Sequence, residues 1–231
     1  MANRYVLDME KYASLARQAA ADGCVLLENR DGALPLEAGT KAALFGRSMF
    51  HYYKSGTGSG GSVNTRYVIG ILDALEKEEG IAVDEEVLAC YRTWLETHPF
   101  DQGKGWGQEP WSQEEMAVTE DFVKSACERN DAALVIIGRT AGEDQDARNE
   151  KGSYLLNDTE LDLLRKVKKY AKRLIVILNV GSIIDMRWAK EVDPDAVLYV
   201  WQGGMEGGNG VADVLTGRVS LTPCEGGRNY G

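Results

Sequence analysis

Four carboxylates crowd one stretch of this chain: Glu143, Asp144, Asp146 and Glu150 fall within eight residues. The stretch begins Gly138-Arg-Thr-Ala-Gly-Glu-Asp-Gln-Asp146 and continues through Arg148 and Lys151 to Tyr154. Neighbouring carboxylates raise each other's pKa, which suits a side chain that must give up a proton near neutral pH. The same composition also describes an ordinary solvated loop. The spacing of a calcium-binding loop is absent.

Two glycine-dense segments are the other candidates for chemistry. In Ser55-Gly-Thr-Gly-Ser-Gly-Gly-Ser62, residues Gly56, Gly58 and Gly61 formally satisfy G-x-G-x-x-G. A dinucleotide site needs those glycines directly after a strand and at the opening of a helix. Here about ten residues separate Gly56 from the end of the preceding apolar run at Gly46, and no Lys-Ser/Thr follows for a P-loop. Two readings remain: a flexible connector, or a loop whose backbone must approach a ligand or another domain closely, as glycine permits. In Trp201-Gln-Gly-Gly-Met-Glu-Gly-Gly208 the glycines allow a tight turn, and Glu206 is placed to cap the helix that follows.

The elements that position these loops are legible from periodicity. Ala132 to Ile137, Leu174 to Leu178 and Ala196 to Val200 are continuous apolar runs without alternation, as expected of adjacent central strands buried on both faces. Ala42 to Phe45 reads as another strand, and Cys24 to Leu27 is a short apolar run. Asp8 opens a helix that stops at Gly23, and Asp84 opens another carrying Val87, Leu88, Tyr91 and Leu95. Further helices are expected at 65–79, near 158–171 capped by Asp158 or Thr159, near 183–190 and near 208–216. Residues 98–111, with their glycines, prolines and two tryptophans, read as a long excursion without regular structure. Strands alternating with helices predict one α/β sandwich with a mostly parallel sheet and helices on both faces. About five or six strands are expected. Ligands meet such sheets at the carboxyl ends of the strands, here the loops 46–64, 138–157, 179–183 and 201–208.

Composition narrows the partners. The 231 residues carry a formal charge of −10, against the basic face that nucleic acid or an anionic membrane requires. No run approaches the roughly 18 apolar residues of a membrane span, and the polar N-terminus does not read as a secretory signal. Cys24, Cys90, Cys127 and Cys224 are scattered, and His51 and His98 are the only histidines. Inert thiols in a reducing cytoplasm, with no metal or other cofactor, are the expectation.

The order of motifs carries more than any single one. Ala19 to Leu36, AAADGCVLLENRDGALPL, resembles the opening of the second domain of family 3 glycoside hydrolases, A-x-x-G-x-V-L-L-x-N-x-x-x-x-L-P-L. Ala42 to Gly46, the glycine loop Ser55 to Asn64, Gly142-Glu-Asp, LIVILNVG at 174–181, WQGGMEGGNGVAD at 201–213 and VLTGRVS at 214–220 resemble that domain's later units in the right order. The resemblance implies a retaining β-glycosidase acting on a β-glucoside or oligosaccharide. The acid/base would be a glutamate on this domain, matching Glu143, and the nucleophile an aspartate on a barrel domain. No residue here matches the barrel motif. Lys54, Ser59, Asn64, Asp144 and Asp146 are the expected sugar contacts. Asp144 and Asp146 are expected to help raise the pKa of Glu143, and with Glu150 they are its rivals. Asp144 stands where the family has glycine, and Arg148 does not directly follow Asp146, which leaves an arginine role unassigned.

The sandwich is expected over 1–220, with 221–231 an atypical or truncated tail. Only about eleven residues precede the resemblance, which fits the subgroup with this domain placed before the barrel. Without a barrel to pack against, the 47–64 and 139–157 loops are expected to be mobile or poorly ordered. The alternative functions are a non-catalytic carbohydrate-binding or scaffold module and, more remotely, a flavodoxin-like nucleotide binder.

Overall fold

The computed structural model of the protein describes residues 6–143 and 145–220, so Asp144 and the tail 221–231 lie outside the described residues. The sheet has six strands: β1 (Val25–Asn29), β2 (Thr40–Phe45), β3 (Ile81–Val83), β4 (Ala132–Arg139), β5 (Leu174–Val180) and β6 (Ala196–Tyr199). Their spatial order is β1-β6-β5-β4-β2-β3. Only β1 is antiparallel to its neighbour, and it is bulged between Leu26 and Glu28. The three apolar runs are adjacent, as their lack of alternation predicts, and every residue of β4 and β5 is buried. A strand buried throughout needs cover on both faces. Two groups of mutually packed helices supply it. One comprises α1 (Met9–Asp22), α2 (Ile71–Leu75) and α7 (Gly207–Leu215); the other comprises α4 (Glu120–Arg129), α5 (Asp158–Tyr170) and α6 (Arg187–Val192). Helix α3 (Glu85–Leu95) lies against β2.

Several boundaries differ from the sequence expectation, each for a local reason. The helix expected at 65–79 is confined to Ile71–Leu75. The backbone before it is taken up elsewhere, since Ile69 N–H donates to Met205 and Ile69 O accepts from Gly208 N–H. The Gly70 N–H instead meets the Asp73 carboxylate at 2.8 Å. The helix expected at 183–190 starts only at Arg187, because Asp185 N–H is spent on Tyr154 O. Helix α5 is capped by Asn157, not by Asp158 or Thr159, in a reciprocal box with Glu160. Helix α4 and the short edge strand β3 carry no sequence expectation. In α4 the buried positions Val123, Ala126 and Cys127 are scattered among charged residues.

Burial pushes the Cys24 thiol up to about 12 and the Cys127 thiol up to about 11, as expected of unreactive thiols. No helix among the described residues is long and apolar enough to cross a membrane.

One buried carboxyl makes stability depend on pH. Burial pushes Glu115 up to about 7, although the backbone N–H groups of Arg47 and Met116 each donate to it at 2.9 Å. An unfolded glutamate titrates near about 4.3. Between those values the folded chain binds more protons than the unfolded one, so this group lowers stability as pH rises from about 4.3 to about 7. Glu115→Gln loses one backbone hydrogen bond but flattens that slope. Urea midpoints at pH 5 and pH 7.5 check this: the wild-type difference should shrink in the variant, and an unchanged difference would refute it.

Candidate active site

Strand β4 delivers the acidic loop to the carboxyl edge of the sheet, beside the glycine loop that follows β2. Two backbones are stitched there. Thr57 N–H donates to Ala141 O at 2.7 Å, and Thr57 pairs in parallel with Gly142. Gly142 sits at φ 144°, where a Cβ would lie 2.5 Å from Thr57 N, so both its conformation and its closeness require glycine. The glycine loop and the acidic loop thus pack on each other.

The stitching brings Glu143 onto Ser59. Glu143 Oε2 accepts from Ser59 N–H at 3.1 Å and from Ser59 Oγ at 2.8 Å. Gly58, at φ 77°, makes room: a Cβ there would lie 2.8 Å from Glu143 Oε2 and closer still to its Cβ. The Ser59 backbone N–H, then its hydroxyl, hold the Glu143 carboxyl below the usual carboxylate range. This corrects the expectation of a raised value. Donors to an exposed carboxylate decide its state here, and Asp146 is also exposed and solvated. Ser59→Ala removes the hydroxyl donor but keeps the N–H. In this variant the carboxyl carbon of Glu143 should titrate at higher pH by NMR, while still below an ordinary glutamate; an unmoved value would remove Ser59 from its control.

The remaining expected contacts are less converged. Lys54 Nζ donates to Ser55 Oγ at 3.1 Å and Gly61 O at 3.4 Å, which braces the glycine loop from within. Asn64, Asp146 and Glu150 are exposed. Arg148 lies over the Trp111 ring, 5.1 Å from its centroid, rather than against a carboxylate. Glu206 holds the N-cap position of α7, as the sequence allows, but its side chain makes no capping hydrogen bond; its buried carboxylate accepts from Tyr67 Oη at 2.5 Å and Asn209 Nδ2 at 2.6 Å. The glycine loop opens a short 3-10 turn at Gly58–Gly60 instead of a helix, against dinucleotide binding. Among the described residues no cluster of three or more His, Cys, Asp or Glu could hold a metal ion.

Three contributors carried no clear sequence signal. Asn179, fully buried at the end of β5, accepts from Tyr53 N–H at 2.8 Å and donates to Tyr53 O at 3.0 Å and Trp201 O at 2.6 Å. One amide thus fixes the entrance to the glycine loop and the turn after β6, where Trp201 adopts φ 53°. Arg139 roots the acidic loop. It is buried in a two-pronged pair with Glu160 at 2.5 and 2.6 Å, and it donates to Ser153 O at 3.0 Å across the loop's far end. Glu109 belongs to the 98–111 excursion, which Gln145 Nε2 ties to the acidic loop through Gly107 O at 3.0 Å and Glu109 O at 2.8 Å. Burial raises the Glu109 carboxyl above its ordinary range, as a general acid would need.

Residues 24–223 match the family model described as the glycosyl hydrolase family 3 C-terminal domain. A β-glucosidase of Ruminococcus albus is 51% identical over 218 residues, which cover 94% of this chain and 23% of that protein. The solved structure of a β-glucosidase from Paenibacillus barengoltzii superposes with a TM-score of 0.89 at 44% identity, covering 93% of this chain and 24% of that one. β-Glucosidase 3B of Thermotoga neapolitana, solved in complex with glucose, superposes with a TM-score of 0.83 at 35% identity, covering 93% and 30%. The chain thus spans about a quarter of the length of the relatives it matches.

Proposed function

The chain belongs to the family of glycosyl hydrolase family 3 C-terminal domains, and we propose that it supplies the acid/base half of a retaining β-glucosidase-like site. The other half, with an aspartate nucleophile, would come from a barrel segment of the same polypeptide. The observation that carries this reading is the place of Glu143. It stands in the loop after a central strand, on the carboxyl edge of the sheet, with its carboxylate held by the glycine loop.

In the first step the nucleophile attacks the anomeric carbon as the glycosidic bond breaks, and Glu143 gives its proton to the departing oxygen. In the second, the Glu143 carboxylate takes a proton from water, whose oxygen displaces the nucleophile. The resting chain, with Ser59 donating to Glu143, holds the form the second step needs. The first step needs the acid form, and cover by substrate and barrel would desolvate the carboxylate and raise its pKa. The same edge exposes Val63, Tyr67, Trp106, Ile183 and Trp201, a surface fit for another domain. Lys54, Asn64 and Asp146 remain candidate sugar contacts on the rim of this site.

A retaining site needs two carboxyl groups about 5 to 5.5 Å apart across the scissile bond. The isolated chain should therefore release no nitrophenol from an aryl β-glucoside. A chimera carrying it in place of the matching segment of the Ruminococcus albus protein should do so. Turnover by the pure chain that disappears in Glu143→Gln or Glu109→Gln would overturn the split site.

A further inference from the structure

Glu143 stands on a tight turn. Gln145 N–H donates to Gly142 O at 3.1 Å, and these two residues pair across the turn. The glycine loop holds one side of it, where Thr57 pairs with Gly142 and the Thr57 hydroxyl donates to Glu143 O at 3.3 Å. The Gln145 side chain holds the other side. Its Nε2 donates to Gly107 O at 3.0 Å and to Glu109 O at 2.8 Å. A primary amide has two N–H groups, and both are used here. A further tie lies at the root of the acidic loop, where Thr140 N–H donates to Trp111 O at 2.8 Å. The loop that presents the acid is therefore bound to the 98–111 excursion at two points.

The excursion is itself fixed at its base. Arg47, 2% exposed, donates through Nη2 to His98 O at 2.9 Å and through Nη1 to Glu114 O at 2.7 Å. One side chain thus joins the start of the excursion to the residues just past its end. The guanidinium also lies 5.2 Å from the Trp94 ring centroid. Asp101 and Gln113 close the excursion again: Asp101 N–H donates to Gln113 Oε1 at 2.7 Å, and Gln113 Nε2 donates to Asp101 O at 2.9 Å.

A general acid works only within hydrogen-bond reach of the departing oxygen. A misplacement of about 1 Å costs about 10²-fold in rate. Ser59 holds the end of the Glu143 side chain, but the backbone that carries it must also be placed. We propose that Gln145 is a positioning residue for the acid: its clasp on Gly107 and Glu109 fixes the turn on which Glu143 stands. Arg47 fixes the base against which the clasp pulls. The proposal rests on the split-site reading above, and Gln145 touches no reacting atom in it. The excursion joins α3 to α4 with no strand or helix of its own, so its sequence can change without disturbing the sheet. Any such change reaches the acid through Gln145.

The test places Gln145→Met in the chimera, since methionine keeps the length of glutamine and loses both donors. The value of kcat/KM reports the steps through the first bond cleavage, where Glu143 acts as the acid. It should fall about 10²-fold on β-glucosides with poor leaving groups. On a nitrophenyl β-glucoside, which leaves without a proton, it should be nearly unchanged. Gln145→Ala should behave alike, and Lys104→Ala, at an exposed position of the excursion, should match the wild type on both substrates. In the 231-residue chain, the Gln145 side-chain N–H protons should exchange slowly with water. There Gln145→Met should shift the amide signals of Glu143 and Gly107 and leave that of Ile136, inside β4, in place. Equal losses on both substrate kinds would mark Gln145 as merely structural, and no loss on either would free the acid from the clasp; each overturns the proposal. So would an unmoved Glu143 amide in the isolated chain, a reading that needs no turnover. Glu143→Ala in the same chimera separates the two ideas. If it discriminates by leaving group and Gln145→Met does not, the clasp fails and the split site stands; if neither does, both fall.

Discussion

In the chimera, Glu143→Ala is expected to slow β-glucosides with poor leaving groups by about 10²- to 10⁴-fold, the usual worth of general acid assistance. An alkoxide leaves only with a proton, and this variant has none to give. A nitrophenolate leaves without help, so the first step on activated aryl glucosides should be nearly spared. The covalent intermediate then waits for water that no base activates. Azide attacks without a base, so adding it should restore turnover and yield the glycosyl azide. A variant that slows both substrate kinds equally and ignores azide would move the role elsewhere. The first place to look is Glu109, whose carboxyl burial already raises. After it come Asp146 and Glu150 in the same loop, and Asp144.

The largest expected effect on stability lies at the root of that loop. Arg139 and Glu160 are both buried, 1% and 4% exposed, and meet through two hydrogen bonds. Replacing one partner leaves the other charge without its counter-ion in a site water cannot reach. Breaking a buried pair in this way typically costs about 3 to 5 kcal/mol. That is a large share of the 5 to 15 kcal/mol that holds a typical domain together. Arg139→Met and Glu160→Gln should each lower the urea midpoint by roughly 1 to 5 M, given slopes near 1 to 3 kcal/mol per M. The double variant Arg139→Met/Glu160→Leu should recover part of the loss, because no lone charge remains. Recovery stays incomplete, since Gly138 and Ser153 lose the guanidinium that binds their carbonyls. Single variants costing under about 1 kcal/mol would show that water reaches the pair.

The sheet was readable because its physics is local to each run. The runs Ala132 to Ile137 of β4, Leu174 to Leu178 of β5 and Ala196 to Tyr199 of β6 are apolar at every position, and only burial on both faces makes that composition stable. The caps at Asp8 and Asp84 were readable for a similar reason, since each carboxylate binds N–H groups two or three residues ahead. What escaped depends on distant partners. Nothing near Ile69 in the chain announces that Met205 and Gly208 will claim its backbone, so the helix expected over 65–79 shrank to five residues. The place of Glu143 in a loop after β4 was legible, but its state was not. Reading along the chain, the nearest charges are Asp144 and Asp146; in space, the deciding neighbour is Ser59, 84 residues away. Arg139 and Asn179 were unreadable as anchors for the same reason. A polar residue at the end of an apolar strand carries no mark of what it will bind.

The two ends of the sheet carry a consequence for how this protein behaves at high concentration. Strand β3 is only three residues long, and β1 is broken by a bulge between Leu26 and Glu28. A short edge and a kinked edge are poor templates for a further strand, whether from a second copy or from an unfolded neighbour. Fibril growth by edge-to-edge addition is thereby discouraged on both flanks. Clumping, where it occurs, would begin instead at the loop end, through greasy side chains such as Ile183 and Trp201, and added surface charge there would be the remedy.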